Sequence, residues 1–211
     1  MRIVLLILGA AAIGLGCCQQ LSAAPSFTGS VQPVRWAELR HSYRAGCPVG
    51  TSELRTVHVS YWDFAGKAQV GAIVVARRHA PAILIVFRKL WTARFPIRRL
   101  RPVSEYRGSD DASMEADNTS GFNCRFVGGT TRWSMHAYGE AIDVNPVENP
   151  YVRGGYVSPP AGRAYLDRSR YREGMAMRGG VLVKAFAAVG WSWGGRWTSS
   201  PDYQHFSATG G

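Results

Sequence analysis

The chain has 211 residues, 46% of them apolar and 18% charged, which suits one domain with a core and excludes a chain disordered throughout. Lysine and arginine number 25 against 14 acidic residues, a formal net charge of +11. That balance points to anionic surroundings or to a solvated basic surface, and the scattered basic residues fit no specific nucleic-acid motif.

In chain order, residues 1–24 come first. "MRIVLLILGAAAIGLGCCQQLSAAPS" has Arg2, an apolar run and then small residues before Pro25. This is the pattern of a secretory signal peptide, with an uncleaved N-terminal anchor or lipidation at Cys17 as alternatives. Each predicts export to the cell wall or extracellular space. Residues 25–45 lack periodicity and read as a linker or lead-in. "TVHVSYWDFAGKAQVGAIVVA" reads as two strands joined by a turn at "DFAGK". "APAILIVFRKLWTARF" places apolar residues at 83, 87, 90, 91 and 95, the spacing of an amphipathic helix. "PIRRLRPV" reads as a short strand. "SEYRGSDDASMEADNTSGFNCR", the acidic patch of a basic chain, reads as a long loop. "GEAIDVNP" alternates, with Ile142 and Val144 on one face and Ala141 and Asp143 on the other. "VENPYVRGGYVSPPAG" reads as a surface loop and "GGVLVKAFAAVG" as a short helix ending at Gly190. "WSWGGRW" and "YQHFS" close the chain as strands or strand-like turns. The order of elements predicts an α+β fold with a small, mainly antiparallel sheet flanked by helices. No internal repeat is visible.

With Cys17 and Cys18 inside the N-terminal segment, Cys47 and Cys124 remain. In an oxidising compartment they predict one disulfide; two separate buried thiols are the alternative. Of five histidines, His41, His58 and His79 read as structural or surface residues. His136 and His205 stand near acids in "SMHAYGEAID" and "PDYQHF". A catalytic zinc takes three protein ligands and leaves one position open. His136, Asp143 and His205 would supply two imidazoles and a carboxylate, and Asp202 a base. Each histidine taken singly reads more simply as a satisfied core or surface residue. Cys124 with His136 would suit a cysteine peptidase, but the disulfide is the better use of that thiol. Ser134 lacks the flanking glycines of a nucleophile elbow. "NTS" at 118 fits a glycosylation sequon but reads as loop sequence. Trp191, Trp193 and Trp197 would line a groove or pack in the core.

"SMHAYGEAID" resembles the S-x-H-x-x-G-x-A-x-D motif of the VanY-type D-alanyl-D-alanine carboxypeptidases, a family that includes L-alanyl-D-glutamate endopeptidases of walls and phage lysins. "NPVENPY", "GWSWGGRW" with "DYQHF", and "NTSGFNCR" resemble further segments of that family, in the same order, over residues 46–207. The resemblance implies a zinc peptidase domain over 46–207, with a hedgehog/DD-peptidase-like fold and the metal on the sheet. It implies Zn2+ on His136, Asp143 and His205, with Asp202 as catalytic base. Arg125 would steady the substrate carbonyl, and Ser134 would orient the site or the substrate. An aspartate base matches the endopeptidase branch, where carboxypeptidases often carry glutamate. Gly139 and Ala141 would let backbone and substrate approach the metal.

The expected function is an exported zinc metallopeptidase, expected as a monomer, acting on peptidoglycan stem peptides and held on anionic wall polymer by its charge. The alternatives are a catalytically silent zinc-containing wall-binding module, which would be expected to have lost a ligand or the base, and a secreted nucleic-acid binder resting on charge alone.

Overall fold

The computed structural model describes residues 24–210; the signal-or-anchor expectation and Cys17 lie outside the described residues. Among the described residues no helix is long and apolar enough to cross a membrane. The elements are β1 (Gly29–Pro33), α1 (Trp36–Leu39), β2 (Leu54–Trp62), β3 (Ala68–Ala76), α2 (Ala80–Thr92), β4 (Arg99–Leu100), α3 (Asp110–Glu115) and β5 (Asn118–Thr119). Then follow β6 (Ala141–Asp143), β7 (Tyr151–Arg153), β8 (Tyr156–Ser158), α4 (Val181–Ala187), β9 (Ser192–Trp193) and β10 (His205–Ser207). The architecture is mixed α and β, with small antiparallel sheets and few helices. The single sheet expected from the sequence is in fact two three-stranded sheets, β1-β2-β3 and β6-β10-β9, plus the β7–β8 hairpin and a parallel β4–β5 pair.

β2 and β3 are the long strands, and both faces of β3 are covered. Ile73 and Val75 face a core shared with Ile83, Val86, Phe87 and Leu90 of α2, Leu182 and Phe186 of α4, and Ile142 and Phe206 of the second sheet. Val74 points the other way, to a smaller cluster with Leu39, Leu54, Phe122 and Cys124. β3 therefore reads as a nearly continuous apolar run at its C-terminal end, as a doubly covered strand should. α2 buries the stripe at 83, 86, 87 and 90 and leaves Ile85 exposed. It stops at Thr92, so Phe95 reaches the core from beyond the helix end.

Three loop expectations are corrected. Residues 25–45 do not form a free linker: Gly29–Pro33 pairs antiparallel with Arg55–Val59. This edge strand is exposed along its length, so it has no apolar alternation to betray it. The acidic stretch holds α3, started by Ser109, whose hydroxyl accepts from the Ala112 amide. Ser109 with Asp110 and Asp111 is a legible helix start, since an N-cap oxygen and first-turn acids satisfy the free amides and the dipole. The stretch from 147 is not simply a surface loop. It opens with Glu148 and Asn149 fully buried and continues as the β7–β8 hairpin. Amide side chains take the place of a ladder there: Asn149 donates to the Val144 and Gly174 carbonyls and accepts from Ala176 N. Asn145 donates to Pro96 and Gly174 and accepts from Arg98 N.

Cys47 and Cys124 are bonded, tying the segment between α1 and β2 to the segment before the SMH motif. They span 77 positions, and a loop of that size costs the unfolded chain about 4 kcal/mol of closure entropy when cross-linked. The double variant Cys47→Ser/Cys124→Ser is expected to lose about 2–4 kcal/mol of stability in denaturant titrations. An unchanged midpoint would contradict this.

Glu148 generates a second prediction. It is 1% exposed, its Oε1 accepts from Arg98 and Tyr165, and its Oε2 has no partner. Burial first, and then the neighbouring Asp117 carboxyl, push its pKa up to about 8, against the pull of Arg98. The unfolded chain then ionises near 4.5 while the fold still holds the proton. Stability is fully present below that value and is lost as pH rises towards about 8. Glu148→Gln is expected to flatten this decline, by on the order of 2 kcal/mol at the alkaline end, in thermal melts taken across the range. A decline of equal slope in the variant would sink the assignment.

Candidate metal centre

β6 and β10 pair antiparallel with His205 opposite Asp143 and Phe206 opposite Ile142. Alternation does the sorting: Ile142, Val144 and Phe206 go into the core, while Asp143 and His205 emerge together on the other face. His136 arrives from a different element, a 3-10 turn over Met135–Tyr138. Ser134 caps that turn, its hydroxyl accepting from the His136 amide. Gly139 ends it at φ +67°, and its carbonyl accepts from Ala76 N. A Cβ at Gly139 would lie 2.5 Å from that nitrogen. The glycine therefore serves the docking of the turn onto β3, and not an approach to the metal as expected from the sequence. Ala141 likewise sits in the ladder, opposite Ser207.

Ligand atoms of His136, Asp143 and His205 all lie within 4.8 Å of one another, and all three residues are buried. Nδ1 of His136 is 2.7 Å from the Gly121 carbonyl. A carbonyl only accepts, so Nδ1 holds the proton and Nε2 presents its lone pair to the centre. Nε2 of both histidines is buried with no hydrogen-bond partner. His136 Nε2 lies 3.2 Å from Asp143 Oδ2, and His205 Nδ1 lies 3.1 Å from Asp143 Oδ1. Burial opposes charge on His136, but the Asp143 carboxylate outweighs it and raises the histidine's pKa. Burial also works against ionised Asp143, and the two histidines together hold its carboxyl well below the usual range. Two imidazoles and a deprotonated carboxylate, with lone pairs left over, form a donor set that fits a tetrahedral zinc with one position free.

The three line a groove of about 1240 Å³ together with Ser134, Arg125 and Asp202. Asp202 is fastened on two sides. Its amide donates to the Gly194 carbonyl, and the 150–152 backbone bonds to Pro201 and Tyr203 around it. A Cβ on Gly194 would come within 2.9 Å of the Asp202 carbonyl, which explains a glycine in the "WGG" turn. Asp202 Oδ1 is buried without a partner. Desolvation, and then the charge of Asp143, push this carboxyl up to about 7. Trp197 lines the groove beside the His205 ring, whereas Trp191 and Trp193 are core residues. His79 packs edge-on against Trp191 and lies outside the groove.

Several residues in or behind the groove were not singled out by sequence reasoning. Gly121 orients His136, and a Cβ there would sit 2.3 Å from the Val74 carbonyl. Buried Glu140 is ion-paired to Arg78 on the rim. Asp110 pairs with Arg125. The β7–β8 hairpin contributes Tyr151, Arg153 and Tyr156. Only the acidic patch carried a signal, and it gave no direction.

Residues 128–208 match a family model described as D-alanyl-D-alanine carboxypeptidase. The match takes in Ser134, the three clustered residues and Asp202, and ends short of Arg125 and the bonded cysteines. No curated protein and no solved structure matches the chain.

Gly121→Ala tests the orienting carbonyl. The added methyl must displace backbone, so zinc affinity measured by chelator competition is expected to fall about 10- to 100-fold. Wild-type affinity in that variant would contradict the role of Gly121.

Proposed function

With residues 128–208 belonging to the VanY-type D-alanyl-D-alanine carboxypeptidase family, we propose that the protein is an exported zinc metallopeptidase that cuts peptide bonds in peptidoglycan stems. The observation that carries the reading is the buried His136–Asp143–His205 group with Asp202 and Arg125 on the walls of one groove. The Cys47–Cys124 bond supports an oxidising compartment, and the surplus of arginine supports residence on an anionic wall polymer.

His136, Asp143 and His205 would hold the zinc, which when bound polarises a carbonyl and makes water a nucleophile near neutral pH. Asp202 takes the proton of the attacking water and returns it to the departing amine. Its raised pKa suits it to both transfers. Arg125 donates to the carbonyl oxygen as negative charge develops there. Ser134 acts on the backbone by fixing the turn that carries His136. The bond cut is either L-Ala–D-Glu, by endopeptidase action, or the terminal D-Ala–D-Ala, by carboxypeptidase action.

Mass spectrometry of purified muropeptides after digestion tests the reading and separates the two bonds: one product set lacks a terminal alanine, the other is split after the first residue of the stem. Muropeptides left intact by the zinc-loaded protein would overturn it. Asp202→Ala is expected to lower turnover about 10²- to 10⁴-fold while zinc content stays at the wild-type level; persisting turnover would remove Asp202 from the role of base.

A further inference from the structure

Arg125 can serve a developing charge only if its guanidinium is aimed before substrate arrives. Its backbone is well fixed. Its amide donates to Asn123, its carbonyl accepts from Ser134, and Cys124 beside it is in the disulfide. The side chain is another matter, because a long arginine gives up much rotamer freedom when it is held in one place. One charged group holds it: Nη2 lies 2.8 Å from Asp110 Oδ2. Nη1 reaches only the Phe126 carbonyl, at 3.4 Å, and Nε is buried with no partner.

Asp110 is itself well placed to act as a post. It is the first residue of α3, set by the Ser109 cap. The helix is pinned below by buried Ser113, whose hydroxyl accepts from Asn118. Asp110 and Arg125 both line the groove beside the clustered histidines and Asp143. Both side chains are a quarter or more exposed, so the pair adds little to stability. A planar guanidinium pinned through one nitrogen is restricted in where its other donors point.

We propose that Asp110 is a positioning residue, which holds the Arg125 guanidinium against the groove wall so that its remaining donors meet the reacting carbonyl. The assignment rests on the peptidase reading for the role of Arg125, while the contact itself does not depend on it.

The test uses the full zinc-loaded chain and the stem peptide cleaved by the wild type. Asp110→Asn is expected to lower kcat about 10- to 100-fold with a much smaller change in KM, and Asp110→Glu to recover part of the loss. In the double variant Asp110→Asn/Arg125→Lys, kcat should be no lower than in Arg125→Lys alone, because the two act as one unit. Glu115→Gln, which removes a charge from the same helix outside the groove, should leave kcat at the wild-type value. A readout independent of turnover is the nitrogen-15 relaxation of the Arg125 Nε–H, expected to be rigid in the wild type and in Asp110→Glu, and mobile in Asp110→Asn. Wild-type kcat in Asp110→Asn, multiplying losses in the double variant, or a rigid Nε–H in Asp110→Asn would each overturn the proposal. Absence of hydrolysis by the wild type would overturn the peptidase reading instead, and the relaxation measurement would still decide whether Asp110 holds the arginine.

Discussion

The centre depends on one cross-strand pair. Asp143 and His205 face each other in the β6–β10 ladder, so two of the three clustered side chains are brought together by backbone hydrogen bonds and not by chance contact. The period of a strand is two, and a slip of β10 by one residue would send His205 into the core and Phe206 out of it, away from Asp143 and Ile142. The apolar side of the ladder therefore protects the polar side. Phe206 stacked on Phe186 of α4, with Ile142 fully buried beside β3, makes any other register costly.

Around that ladder the remaining groups are delivered by short turns, each held by a backbone-to-backbone contact. The His136 turn rests on the end of β3 through Gly139. The segment 120–122 lies against both β6 and β3, and passes a carbonyl to His136 on the way. Asp202 is gripped between the "WGG" turn and the root of the β7–β8 hairpin. The local elements are only two to four residues long, too short to be stable alone. They are stable because a rigid β2–β3–α2 body lies behind them.

The longest elements were the most legible. β2, β3 and α2 announce themselves by periodicity, and "GEAIDV" sorted its core and site faces correctly because alternation is a strong signal even over three residues. The clustered residues were legible as a pattern in two segments, although neither histidine was persuasive alone. What sequence did not disclose was made by main chain or by geometry between distant segments. β1 has no apolar alternation because it is a bare edge. The role of Gly121 lies in its carbonyl and in a 2.3 Å approach to Val74 that a Cβ would forbid, neither of which has a residue-type signature beyond being glycine. Buried Glu148 and Asn149 looked like surface loop because their polarity is spent inside, on carbonyls and amides. Asp110 was visible only as part of an acidic patch.

The turn bearing Gly139 has one more consequence. The stretch that carries the recognisable motifs, 128–208, is not a self-sufficient module. Its first histidine is oriented by Gly121, its turn rests on Ala76, and its strand β6 is bordered by Ser120, all of which precede it in the chain. Excised at the edges of sequence similarity, the segment would keep every clustered side chain and lose the surfaces that aim them. Chemistry and scaffold thus occupy different lengths of this chain: the family match spans 81 residues, while the frame that holds the clustered side chains together reaches back to β3.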